Sequence, residues 1–162
     1  MKKRISFALC LVLLLSLCLS FTACGGGASI AFGDAYVLDR VVADDWQASD
    51  DYTAYWFHSD GTGKYERYYE HHSTIDASYD YVFSATVEFV WQEASNGGVY
   101  LFATKVTKNA AHTSDTDITL STDPLYFSGD LLIRGNDDVV RFVREGSELF
   151  DILKAANAEA KK

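Results

Sequence analysis

The chain has 162 residues, 23 acidic and 14 basic side chains, a formal charge of −9 and three cysteines. That length suits one domain with a real apolar core. The acidic balance excludes nucleic acid, and direct adhesion to anionic lipid or polymer, as partners, because both need basic patches.

The first element combines Lys2, Lys3 and Arg4 with an apolar run from Ile5 to Leu19 and small residues after it, the three parts of an export signal. At about 15 residues the run is shorter than the roughly 20 needed to span a bilayer core, and no basic stop-transfer cluster follows it. A signal peptide over residues 1–23 is therefore predicted, not a transmembrane helix. The end of the segment, Phe21-Thr22-Ala23-Cys24, resembles the bacterial lipobox, in which a small residue precedes a cysteine that is diacylated before cleavage ahead of it. The resemblance implies that Cys24 is lipidated and becomes the mature N-terminus at the extracytoplasmic face of the cell membrane. Phe21 departs from it, standing where the lipobox usually has Leu, and an ordinary cleaved signal is the alternative. Two or more acyl chains hold a protein stably where one is marginal.

Residues 24–33, with Gly25, Gly26 and Gly27 directly after Cys24, read as a flexible tether to a domain over residues 34–162. Cys10 and Cys18 leave with the signal, so the mature chain has no cysteine pair to form a disulfide. Cleavage removes three basic and no acidic residues, which moves the formal charge from −9 to −12.

Within the domain the apolar period is two. Tyr36 to Ala43 reads as a strand, and Thr53–His58 and Lys64–His71 as hairpin arms around Ser59-Asp60-Gly61-Thr62-Gly63. From Tyr81 the odd positions are Tyr81, Phe83, Ala85, Val87, Phe89 and Trp91, against Ser84, Thr86, Glu88 and Gln92 at even ones. One face is apolar and the other mixed, as in a half-buried antiparallel strand. Asn96-Gly97-Gly98 supplies a tight turn into a returning strand, Val99–Thr107. Short strands follow at Ile118–Ser121, Leu125–Phe127, Leu131–Arg134 and Val139–Arg144. Ser147 then caps a helix with Leu149, Ile152, Leu153 and Ala156 on one face. The connections are too short for parallel crossovers, which leaves an all-β up-and-down barrel or a β-sandwich.

The order Phe57-x-x-Asp60-Gly61-Thr62-Gly63, Phe89-x-Trp91, Ser128-Gly129-Asp130 and Phe142-x-Arg144 resembles the lipocalin-like domains of small bacterial lipoproteins. The resemblance spans about residues 33 to 145 and implies an antiparallel barrel of about eight strands, which the helix after Ser147 would follow. It also implies that an aromatic residue of the first strand packs under an Arg of the last. The family opens with Gly-x-Trp; here Gly33-Asp34-Ala35-Tyr36 stands in its place, with Trp46 further on, so Tyr36 or Trp46 would close the barrel against Arg144 by a structural cation–π contact.

Two function classes remain. The aromatics Tyr55, Phe57, Phe83, Phe89 and Trp91 are candidates to line a cavity for a small apolar ligand, or to fill the barrel of a structural or protein-interaction domain. Tyr65, Tyr68, Tyr69, Tyr79 and Tyr81 are candidates for an exposed surface that recognises a peptide or glycan, and the domain's partner is then a component of the cell envelope. His58 and His71 fall about seven residues apart along the ladder, on the order of 20 Å, and so do not share a metal. With no Gly-x-Ser-x-Gly elbow and no phosphate-cradling glycine loop, neither a catalytic residue nor a cofactor is expected.

Overall fold

The computed structural model describes residues 30–42, 51–109, 118, 120–135 and 140–160; Cys24 and Trp46 lie outside them. Eight strands follow one another: β1 (Ala35–Leu38), β2 (Asp51–Phe57), β3 (Thr62–His71), β4 (Tyr81–Glu93), β5 (Gly98–Lys108), β6 (Leu125–Ser128), β7 (Leu131–Arg134) and β8 (Arg141–Arg144). Each pairs antiparallel with the next, and β8 pairs with β1, so the sheet closes into an up-and-down barrel. A sandwich is excluded by that closure. One helix, α1 (Glu148–Ala160), completes the chain.

Alternation decides what each strand buries. Tyr36, Leu38, Tyr55, Phe57, Phe89, Val99, Leu125, Leu132 and Phe142 meet inside the barrel. Their neighbours on the other face, Ala35, Val37, Ala54 and Val143, form a second cluster with Phe150 of α1. The barrel is thus buried on both faces where the helix covers it.

Ser147 sets the helix in place. Its Oγ accepts from the Phe150 N–H at 3.1 Å and donates to the Arg144 carbonyl at 2.7 Å, tying the first turn to the end of β8. The buried stripe differs from the expected one: Phe150, Leu149 and Leu153 face the barrel, while Ile152 is 56% exposed. Phe150 offers more apolar area than Ile152, and the helix is rotated to bury it.

Two further corrections and one irregularity concern strands. β1 ends at Leu38, because the chain turns through a short 3-10 segment at Asp39–Val41. The described residues of the expected strand Ile118–Ser121 are not in a strand; Ile118 and Leu120 instead drop apolar side chains onto the core. β4 and β5 are not in simple register either, since a bulge between Glu88 and Phe89 leaves Thr104 unpaired.

The segment leading into β1 covers one end of the barrel. Gly33 N–H donates to Phe57 O at 2.9 Å and Ala31 N–H to the Tyr36 hydroxyl at 3.1 Å. Phe32 stacks on Trp91 with centroids 6.1 Å apart, and the Trp91 indole N–H reaches the carbonyls of Thr62 and His58. The Asp-Gly-Thr-Gly turn therefore holds this end together. Gly61 has φ +84°, which favours glycine, and Gly63 admits a close approach: a Cβ there would lie 2.5 Å from Phe89 Cζ and 2.5 Å from Trp56 O.

Neither neighbour of Gly63 is a flexible side-chain end. Gly63→Ala is expected to lower the unfolding free energy by about 1–3 kcal/mol, the usual effect of overpacking. Urea unfolding followed by tryptophan fluorescence measures it, and an unchanged midpoint would count against this packing.

Candidate functional site

The lumen is filled with rings. Phe57 packs edge-on against Phe127 at 5.1 Å and Phe89 at 5.6 Å between centroids. Tyr55 contacts Tyr65 at 4.6 Å and Phe142 at 5.0 Å, and Phe83 stacks on Tyr69 at 4.9 Å. Tyr55, Phe57, Phe83 and Phe89 are all buried, and Trp91 packs against the same cluster. These five candidates are placed as interlocking core side chains.

The five tyrosines read as one recognition surface are dispersed by alternation. Tyr65 points into the lumen against Tyr55. Tyr68 is on the outer face, stacked on Tyr52 at 5.5 Å. Tyr69 and Tyr81 pack edge-on near Phe83, while Tyr79 is 67% exposed in the β3–β4 loop. In that loop Asp80 anchors the Ser73 N–H at 2.7 Å and lies 3.3 Å from His72, whose other ring nitrogen is 3.5 Å from Glu70.

Tyr36 does pair with Arg144 across the closing strands, but the guanidinium is engaged elsewhere. Arg144 is bound by Asp130 at 2.6 and 3.0 Å and by Asp34 at 3.3 Å. Carboxylates within hydrogen-bond reach are stronger partners for a guanidinium than a ring face. Among the described residues the cation–π contacts are instead Lys64 over Trp56 at 4.1 Å and Arg67 over Tyr69 at 5.1 Å.

An apolar opening lies at the seam between β5 and β6. β5 has 11 residues and β6 four, and only Gly98 and Val99 of β5 pair with it. The residue before β6, Pro124, turns its carbonyl to the Gly135 N–H at 2.9 Å on the β7 side, and pairing with β5 stops after Val99. Gly98 allows the close crossing at the junction, where a Cβ would come within 3.0 Å of both Pro124 Cβ and Tyr126 Cε1. Beyond it the chain diverges from β5, leaving a mainly apolar cleft of about 550 Å³. Tyr100, Leu101, Phe102 and Ala103 form one wall, and Ile118, Leu120, Ser121 and Thr122 the other. Phe102 is 50% exposed, a large apolar area left in contact with water, between Leu101, which is partly buried, and Ala103, which is exposed. A second concavity, polar and about 360 Å³, runs over the outer sheet between Tyr52 and Asn109.

The seam was not anticipated from sequence, although two signals point to it. Pro124 stands one residue before β6, and Val99 to Ala103 is apolar at odd and even positions alike. Comparison with protein-family models, curated proteins and solved structures finds no match.

Burial also sets the acid–base behaviour of the core. Desolvation pushes the Tyr55 hydroxyl far above its ordinary value of 10 and raises Tyr65 and Tyr36 as well. Above about pH 10 the unfolded chain releases these protons while the folded barrel keeps them. Stability is therefore full below pH ~10 and falls as the pH rises beyond it, by up to about 1.4 kcal/mol per pH unit for the Tyr55 hydroxyl. Tyr55→Phe is expected to remove about one proton from that slope. Urea midpoints measured across the alkaline range provide the check, and an identical slope in both proteins would contradict the burial of this hydroxyl.

Proposed function

We propose that the chain is a lipoprotein anchored through Cys24 at the extracytoplasmic face of the cell membrane. Its lipocalin-like barrel is a non-catalytic binding module that holds a small apolar ligand in the β5 seam. The observation that carries this reading is the apolar cleft of about 550 Å³ beside Phe102, within the size range of small-molecule sites. The ring-packed lumen directs the ligand to the side of the barrel.

The anchor rests on the lipobox resemblance at Cys24 and on the glycine-rich stretch that follows. Gly25 to Gly27 give the freedom to hold a domain off a surface, and the charge of the mature chain keeps it from lying flat on anionic lipid. A second reading, a domain that docks only an envelope protein, is favoured by the filled lumen. It parts from the first on whether a free apolar molecule binds.

Titration of the full chain in lipid nanodiscs with the fluorescent fatty acid cis-parinaric acid tests the choice. Saturable binding is expected, weakened about tenfold or more by Phe102→Glu, which places a charge beside the cleft. Binding that Phe102→Glu leaves unchanged, or no binding, contradicts the seam as a ligand site. For the anchor, intact mass after membrane extraction should show a diacylated N-terminus at Cys24, and Cys24→Ala should lose both lipid and membrane retention. A native protein whose mature chain begins elsewhere would overturn the lipoprotein assignment.

A further inference from the structure

The seam exposes backbone as well as apolar side chains. Trp91 N–H donates to Gly61 O, so the odd-numbered residues of β4 bond towards β3; Asn109 N–H donates to Ser84 O, so the even-numbered ones bond towards β5. The β5 partners of even residues, Tyr100 opposite Gln92 and Phe102 opposite Val90, are thereby bonded to β4. The partners of odd residues, Leu101 opposite Trp91 and Ala103 opposite Phe89, turn their N–H and C=O groups away from β4. On that side lies the cleft, and β6 pairs with β5 only at Gly98 and Val99.

We infer that this edge receives an extended apolar peptide segment of another protein as an added strand; the inference rests on the seam being the binding site. An acyl chain would satisfy the apolar walls but leave the donors and acceptors of Leu101 and Ala103 without partners among the described residues. A peptide in strand conformation satisfies both, because its own N–H and C=O groups alternate at the spacing the edge presents. Its side chains would lie alternately beside Leu101 and Leu120 and beside Phe102. Apolar residues therefore fit on both faces.

The edge is bounded at each end. Val99 pairs with Leu125 on one side of it, and on the other the bulge at Thr104 turns the strand. Between them the run Tyr100 to Ala103 is about 13 Å long at ~3.3 Å per residue. A site of that length takes a short segment and resists the open-ended edge-to-edge pairing that a long flat strand invites.

The test uses a blocked, fluorescein-labelled Val-Thr-Val-Thr-Val peptide and its fully N-methylated counterpart, titrated by anisotropy into the full chain in nanodiscs. The unmodified peptide is expected to bind at least tenfold more tightly, because N-methylation removes its donors and keeps its side chains. Ala103→Pro, which deletes an N–H facing the cleft and none bonded to β4, is expected to weaken the unmodified peptide similarly while cis-parinaric acid still binds. The wild-type comparison of the two peptides stands even if this variant folds poorly. Equal affinity for both peptides overturns strand addition, as does failure of the unmodified peptide to bind. If cis-parinaric acid binds in that case, the apolar cleft survives as a ligand site; if it does not, the seam reading falls with it. Concentration-dependent dimerisation abolished by Ala103→Pro would make a second copy the occupant and overturn the inference.

Discussion

Three backbone pairs join the first strand to the last: Tyr36 with Arg144, Val37 with Val143 and Leu38 with Phe142. The arrangement of the rest depends on this register. It turns Tyr36, Leu38 and Phe142 into the lumen and Val37 and Val143 outward, where Phe150 covers them. A slip of one residue would exchange the two faces and break both clusters. The register is locked from outside the ladder by Arg144, which binds Asp130 from the β6–β7 turn and Asp34 from the segment before β1. The same residue gives its carbonyl to Ser147, which caps the helix. One arginine thus joins barrel closure, end closure and helix placement.

Closure at β1–β8 leaves the discontinuity elsewhere. Strands β2 to β5 are long and paired with one another nearly throughout, whereas β6 to β8 and β1 have four residues each. Four-residue strands cannot match an 11-residue β5, so the backbone of its farther half has no counterpart in β6. The lumen is filled by interlocking aromatics and the side of the wall is left open. A barrel of this size either packs side chains across its lumen or leaves space there for one small ligand. The ring contacts centred on Phe57 belong to the packed kind.

Much of the barrel was legible because its signals are local. The alternation from Tyr81 to Trp91, the glycines at 61 and 97, and Ser147 each act within a few residues, and each produced the expected element. The misses have longer-range causes. Ile118 and Leu120 look like a strand by composition, yet among the described residues no strand pairs with them, and they serve as core plugs. The helix face turned on whether Phe150 or Ile152 meets Val37 and Val143, which is decided by tertiary packing. Arg144 was matched to its opposite residue but not to its partners, since Asp34 and Asp130 approach it only once the barrel closes. The seam arises from a mismatch in strand length, and strand ends are poorly marked in a sequence. Cys24 and Trp46 lie outside the described residues, so the lipobox and the Trp46 alternative still rest on sequence.

Residue-by-residue amide hydrogen exchange along β5 tests the central claim most directly, because it reports which N–H groups are bonded. An open seam predicts fast exchange at Leu101 and Ala103 and slow exchange at Tyr100 and Phe102, which bond to β4. Uniform protection from Tyr100 to Ala103 would mean that the edge is already paired, and would contradict a binding site there.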